Sequence, residues 1–296
     1  MSEYIKKIRT ESGDLQIDYN FLANLPAISN PNLLINSDFR NPINQRGKTD
    51  VTSQDNNWTK YYFVDRWYAQ HGTKAELCDG YIKLSTPASD TDYGFFCQII
   101  EHVLPSDDYT LTVNVKSLNG NAYVFLKNGS GDSSHTHNMV LHSGKNVLKI
   151  NDAIKNVEIQ VEKNSSLELY WVKLEHGNTS TPLVPRHYAE ELALCKRYFQ
   201  SYNYTEDPCV ILTQTYTSET ETCGRFNLPV EMRGNPYVVI TKVYMRKSIS
   251  VAEDITVKET AVGATTKTMV EIKAKHDSIT AAPRYMYAWF TLDAEM

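Results

Sequence analysis

No run of about 18 apolar residues occurs in the chain, so a membrane-spanning helix is not expected. The opening stretch, Met1–Thr10, lacks the apolar core of a signal peptide, which predicts synthesis in a cytoplasm without export by the general secretory route. The five cysteines, Cys78, Cys97, Cys195, Cys209 and Cys223, are odd in number, and no two of them are three positions apart. A thiolate zinc site is therefore not predicted, and the thiols are expected to be reduced and mostly buried. Cys78 and Cys97 are the pair that could meet across a hairpin. No phosphate loop, dinucleotide fingerprint, nucleophile elbow or zinc-protease motif is present, and no β-helix repeat of the depolymerase kind. Catalytic residues and cofactors are accordingly assigned to none. Positive charge is also short: the formal net charge is −5 and no block of like charge stands out, which argues against a nucleic-acid partner.

The chain does have 19 tyrosines among its 296 residues, many threonines and asparagines, and turn formers at short intervals. That combination favours β-sandwiches over helical bundles. Strands are predicted at Phe63–Gln70, Tyr81–Ser85, Phe95–His102, Tyr109–Lys116, Ala122–Lys127, Asn146–Ile150, Val157–Val161 and Leu167–Leu174. Tyr109–Lys116 alternates apolar odd positions with polar even ones, a pattern that places one face in a core and the other in solvent. Pro185 precedes a predicted helix over Tyr188–Gln200, with Leu192, Leu194, Cys195 and Tyr198 on one face. Beyond it, strands are predicted at Val210–Thr217, Gly224–Leu228, Tyr237–Arg246, Ile255–Val257, Thr268–Ala274 and Tyr285–Leu292.

Four residue sets carry a resemblance. Lys173-Leu174-Glu175, Gly177, Thr181-Pro182, then Pro185-Arg186, Tyr188 and Glu190–Tyr198 resemble the joint between two domains of bacteriophage or prophage tail-fibre proteins. Gly13-Asp14, Ile17–Asn20 and Leu22–Pro26 resemble the attachment segment of such fibres, and Asp293-Ala294-Glu295-Met296 resembles their usual ending. Asn32–Phe39 is similar to the first strand of jelly-roll carbohydrate-binding modules. The resemblance implies a mainly β, multi-domain receptor-binding protein: an attachment segment over 1–30, a central jelly-roll-like β-sandwich over 31–184, and a helix plus C-terminal β tip domain over 185–296. It also implies a homotrimer that grips a bacterial cell-surface polysaccharide without cleaving it, bound to tail or baseplate proteins. Such a chain would work in a virion tail or an extracellular tail-like particle after synthesis in the host cytoplasm. A structural tail or baseplate component with no sugar binding of its own stays open, as does a polysaccharide depolymerase.

Sugar rings bind by laying apolar C–H faces on aromatic rings while polar groups read the hydroxyls. Trp58, beside Asn56 and Asn57, is the first candidate contact, and Tyr61 the second. Taken as one strand, Tyr61, Phe63, Asp65 and Trp67 share a face, with Trp67 expected in the core. Tyr202 and Tyr204, placed in a loop after the helix, are two further candidates. Tyr285, Tyr287 and Trp289 are expected in an inter-subunit or sheet–sheet core. His135 and His137, two apart, could share a metal, but the stretch reads as a polar loop without a third ligand, so no metal is assigned. Asp90, Asp92, Asp107, Asp108 and Asp132 fall in turns, where turn chemistry accounts for them without calcium.

Overall fold

Apolar–polar alternation sets the architecture. The computed structural model describes residues 7–10, 13–16, 29–87, 92–128, 135–202, 210–246, 254–278 and 285–295, and these are mainly β, in antiparallel sheets, with one short helix. Strands β1 (Lys7–Thr10) and β2 (Gly13–Gln16) form a hairpin. Then come β3 (Asp50–Thr52), β4 (Tyr61–Tyr62), β5 (Tyr68–Gln70), β6 (Lys74–Cys78), β7 (Tyr81–Ser85), β8 (Tyr93–Asn119), β9 (Ala122–Lys127), β10 (His135–Val140), β11 (Gly144–Glu162) and β12 (Ser166–His176), which join in one ten-stranded network.

Two long strands bend that network back on itself. The first part of β8 pairs with the end of β11 and with β5; its second part pairs with the start of β11 and with β12. The sequence predicts four separate strands here. The structure joins them in pairs because Leu104 and Ile154 pair at the corner, where register shifts flank Ile154 and keep both chains extended. Phe96, Val157 and Ile159 from one arm and Leu111, Val113, Leu169 and Leu174 from the other belong to one buried cluster, so the arms pack face to face. Each such side chain contributes about 1.5–3 kcal/mol on leaving water.

The opening Asn32–Phe39 segment has a physical explanation. Leu34 and Phe39 are fully buried. The Asn32 side-chain oxygen accepts from the amides of Leu34 (3.1 Å) and Leu174 (3.0 Å), tying the segment to β12. Asn36, in the left-handed region at φ 55°, donates to the carbonyls of Ile43 and Asp65, both at 2.8 Å. Two expectations fail nearby. Thr110 and Thr112, the polar face of β8, are buried and not solvated: residues 177–180 run back over them, Thr110 donating to Gly177 O (2.7 Å) and Thr112 bonding Ser180 (2.8 Å). And Cys78 does not face Cys97; Cys78 lies opposite Tyr81, and Cys97 lies opposite Tyr68 and Glu158. Cys78, Cys97 and Cys195 are free thiols, and Cys209 lies outside the described residues.

Helix α1 (Tyr188–Lys196) follows, with the His187 ring at its N-cap accepting from Ala189 N (3.3 Å). It ends four residues before the predicted limit. Phe199 onward is taken by strand pairing instead, as β13 (Phe199–Tyr202) against the last strand. The remaining strands are β14 (Val210–Ile211), β15 (Thr213–Ser218), β16 (Glu221–Asn227), β17 (Tyr237–Arg246), β18 (Asp254–Ile255), β19 (Val257–Thr265), β20 (Met269–His276) and β21 (Tyr285–Asp293). They form a five-stranded sheet around β21 and a four-stranded sheet, β15-β16-β20-β19, whose facing residues share a second buried cluster. Gly224 sits where these sheets touch; a Cβ there would lie 2.7 Å from Leu212. The predicted Val210–Thr217 strand is split at Leu212, each half joining a different sheet.

Candidate functional site

Trp58 stands on a loop that the end of β5 holds in place. Ser53 N donates to Thr73 O (2.9 Å), Gly72 N to Gln54 O (3.0 Å) and His71 N to Asn57 O (2.9 Å). The indole is 57% exposed. Its ring centroid lies 4.5 Å from that of His71 and 5.8 Å from that of Phe95, inclined 29° to the latter, and His71 in turn stacks on Tyr93 at 5.0 Å. The Tyr93 carbonyl can only accept, so His71 donates to it through Nδ1 (3.0 Å). The result is a large aromatic surface, backed by rings and facing water, whose position costs little further ordering on binding.

Tyr61 is half-buried and lines an open cleft of about 450 Å³ with Arg46, Lys48, Thr59, Lys60, Tyr62 and Asp293. Trp58 lies just upstream of this lining and is not part of it. The strand predicted across Phe63–Gln70 is a hairpin: β4 and β5 flank a turn closed by Phe63 N donating to Trp67 O (2.9 Å), with Arg66 at φ 73°. Tyr61 therefore does not alternate in register with Phe63, Asp65 and Trp67. Trp67 is in the core as expected, 5.1 Å from Phe96 and with its indole N–H on Ile35 O (3.2 Å).

The floor of the cleft is a buried ionic clamp between the turn and residues 293–295. The Glu295 side chain is inaccessible to solvent and lies 3.4 Å from Arg66 Nη1 and 3.5 Å from Arg46 Nη2. Arg46 also reaches Asp293 (3.1 Å) and lies 3.8 Å over the Phe199 ring; Arg66 lies 3.5 Å over the Tyr198 ring. Tyr62 donates to Glu295 O (2.9 Å). Asp65, fully buried, accepts from Gln45 (2.7 Å) through one oxygen. Burial raises its pKa to about 7, against the opposing pull of Gln45 and Arg46. A carboxyl whose folded pKa lies above its unfolded value of 3.8 adds stability below that value and loses it as pH rises toward 7. We expect Asp65→Asn to flatten this part of the pH profile. Melting temperatures of both proteins between pH 4 and 8 check it; parallel profiles would contradict the assignment.

The other candidates fall elsewhere. Tyr202 is not in a loop: it is a β13 residue, 5% exposed, packed on Phe226 (4.9 Å) and Phe290 (5.1 Å) with its hydroxyl on Gln200 (2.6 Å), so it belongs to the core. Tyr204 lies outside the described residues, as do Asp90 and Asp132. His135 and His137 stand on β10 and not in a loop, with a bulge between them, and His137 Nε2 is 3.8 Å from Asp152. Among the described residues no three His, Cys, Asp or Glu side chains are grouped to hold a metal. On β21 the sheet–sheet core is built by Met286, Ala288, Phe290 and Leu292, the face opposite Tyr285, Tyr287 and Trp289. Sequence reasoning does not single out Arg46, Lys48 and Lys60, and it marks Asp293 only as part of the chain's ending; the usable signal is three cations within 15 positions of an acidic chain, with Gly47 (φ 64°) turning between two of them.

No protein-family model matches the chain, and no curated protein matches it in sequence. Among solved structures, that of a "putative sugar binding protein" from Bacteroides thetaiotaomicron is similar over 50% of this chain and 100% of its own, at 11% identity and a TM-score of 0.33. A likeness at that score carries no argument about the site. No helix among the described residues is long and apolar enough to cross a membrane.

Proposed function

We propose that this chain is a tail-fibre-type receptor-binding protein of a phage or tail-like particle, which holds bacterial surface polysaccharide without cleaving it. The binding half of the reading is carried by Trp58, a mostly exposed indole on a hydrogen-bonded loop, with the tyrosine-lined cleft beside it. The tail-fibre half is supported by the sequence resemblance around residues 173–198. Among the described lining residues of the cleft, Asp293 is the one carboxylate, and it is paired with Arg46. In this reading residues 1–30 attach the protein to tail or baseplate partners, 31–184 present the glycan site, and 185–296 form the tip. Assembly in threes would turn weak single-site binding into a firm, reversible grip on a repeating polymer.

The test is binding of the full chain to a panel of immobilised bacterial surface polysaccharides. Trp58→Ala is expected to lower affinity at least roughly tenfold, the effect of removing an aromatic anchor, while Trp58→Phe keeps most of it. The melting temperature should stay near wild type, because the ring is mainly outside the core. Equal binding by Trp58→Ala, or no retention on any polysaccharide, would remove the support and favour a purely structural tail component.

A further inference from the structure

The cleft beside Tyr61 has a charge imbalance that neutral sugar binding does not use. Among the described residues its lining holds three cations and one carboxylate. That carboxylate is spoken for twice: Asp293 Oδ2 pairs with Arg46 (3.1 Å) and Oδ1 accepts from Glu295 N (2.9 Å). Arg46 is in turn committed to the clamp with Asp293 and Glu295. Lys48 and Lys60 remain, and neither has a carboxylate within ion-pair distance among the described residues. Lys48 is partly buried and spends one of its three donors on Tyr62 O (2.5 Å). Lys60 is exposed, with its ammonium 5.6 Å from the Tyr68 ring centroid.

An ammonium that is partly desolvated next to a guanidinium is held at a cost, and burial followed by the Arg46 charge pulls the Lys48 pKa below its usual value. A bound anion would relieve both effects. The same cations stand out from a chain of net charge −5, so the cleft attracts anions where the whole molecule does not. Thr59 and Tyr61 add hydroxyls and an aromatic face on the same wall, and about 450 Å³ holds a monosaccharide with a charged substituent.

We propose that Lys48 and Lys60 receive the acidic group, phosphate or carboxylate, of a charged glycan whose sugar ring lies toward Tyr61. The proposal rests on the carbohydrate reading above and narrows it to acidic polymers.

The experiment titrates the full chain with glucose, glucuronate, glucose 6-phosphate and inorganic phosphate by calorimetry or NMR, in wild type, Lys60→Gln and Lys48→Gln/Lys60→Gln. Lys60→Gln removes an exposed side chain and leaves the fold intact even if the loss of the Lys48–Tyr62 contact disturbs the double variant. The expected result is that both acidic sugars bind about tenfold or more tighter than glucose, the size of one charge-assisted hydrogen bond. The preference should shrink in Lys60→Gln, vanish in the double variant and weaken with added salt. Glucuronate and glucose 6-phosphate together distinguish a carboxylate from a phosphate preference. Equal binding of acidic and neutral sugars, or a preference that survives both variants, overturns the proposal and leaves the carbohydrate reading standing. Lysine-dependent binding of inorganic phosphate with no sugar bound overturns the glycan identity of the ligand in this cleft. No binding of any of the four overturns the proposal, while the carbohydrate reading is decided separately by the Trp58 variants on the polysaccharide panel.

Discussion

Glu175→Ala is expected to destabilise the protein by about 3–5 kcal/mol, far more than a typical surface substitution, because it strands a charged amine in the interior. Lys173 and Glu175 point the same way from β12, and their side chains are 1% and 0% exposed. The ammonium, with three donors, lies within hydrogen-bond distance of Glu175 (3.0 Å), Thr181 Oγ1 (2.6 Å), Ser29 Oγ (2.9 Å) and Pro182 O (3.0 Å). The carboxylate also accepts from the amide of Thr181 (2.9 Å) and from its hydroxyl. One buried pair thus ties residues 29 and 181–182 to the sheet and fixes where the chain leaves it for α1. Removing the carboxylate leaves the lysine without its counter-charge, and two donors of Thr181 without an acceptor. Replacing both partners with apolar residues, as in Lys173→Met/Glu175→Leu, should cost much less, because desolvation of the pair is then avoided. Urea denaturation of the single and double variants gives the comparison. A loss below about 1 kcal/mol for Glu175→Ala would mean that water reaches the pair.

This pair also shows what the sequence made legible. Lys173, Glu175, Thr181 and Pro182 belong to the pattern that stands out most in the chain, and the structure supplies its reason: a lysine and a carboxylate two apart on a strand share a face and can close over a returning linker. The Asp293-Ala294-Glu295 ending is similar, with Asp293 and Glu295 on Arg46 and Ala294 in the second core. Strands with regular alternation were readable nearly to the residue, as with β7, β9 and β17. Elements held by long-range contacts were not. The edge strand β19 is mostly exposed and lacks alternating apolar residues, so nothing local marks it. Tyr202 looked like loop because only its pairing with Phe290, far along the chain, makes it a strand. The cleft is hidden for the same reason: its cations lie within 15 residues of each other, but Asp293, which neutralises only one of them, is 247 residues from Arg46.

Glu295→Ala is expected to cost a similar 3–5 kcal/mol, with a different signature. Its carboxylate stands between two guanidiniums whose side chains are 9% and 4% exposed, and it also accepts from the Arg66 amide (3.2 Å) in a turn held at φ 73°. Without it, two like charges face each other in a poorly solvated place, and the left-handed residue loses a hydrogen bond that helps to hold it. Because the clamp joins the turn between β4 and β5 to residues 293–295 of the second sheet system, its loss should separate the two cores energetically. Calorimetry would then show unfolding spread into two transitions, where Glu175→Ala, acting within the first core and its linker, lowers one. The clamp also floors the cleft through Arg46 and Asp293. Glu295→Ala should therefore weaken binding of acidic sugars as well as stability, while Glu175→Ala, measured well below its melting temperature, leaves binding intact. A single cooperative transition with unchanged sugar affinity in Glu295→Ala would show that neither the coupling of the cores nor the cleft depends on this carboxylate.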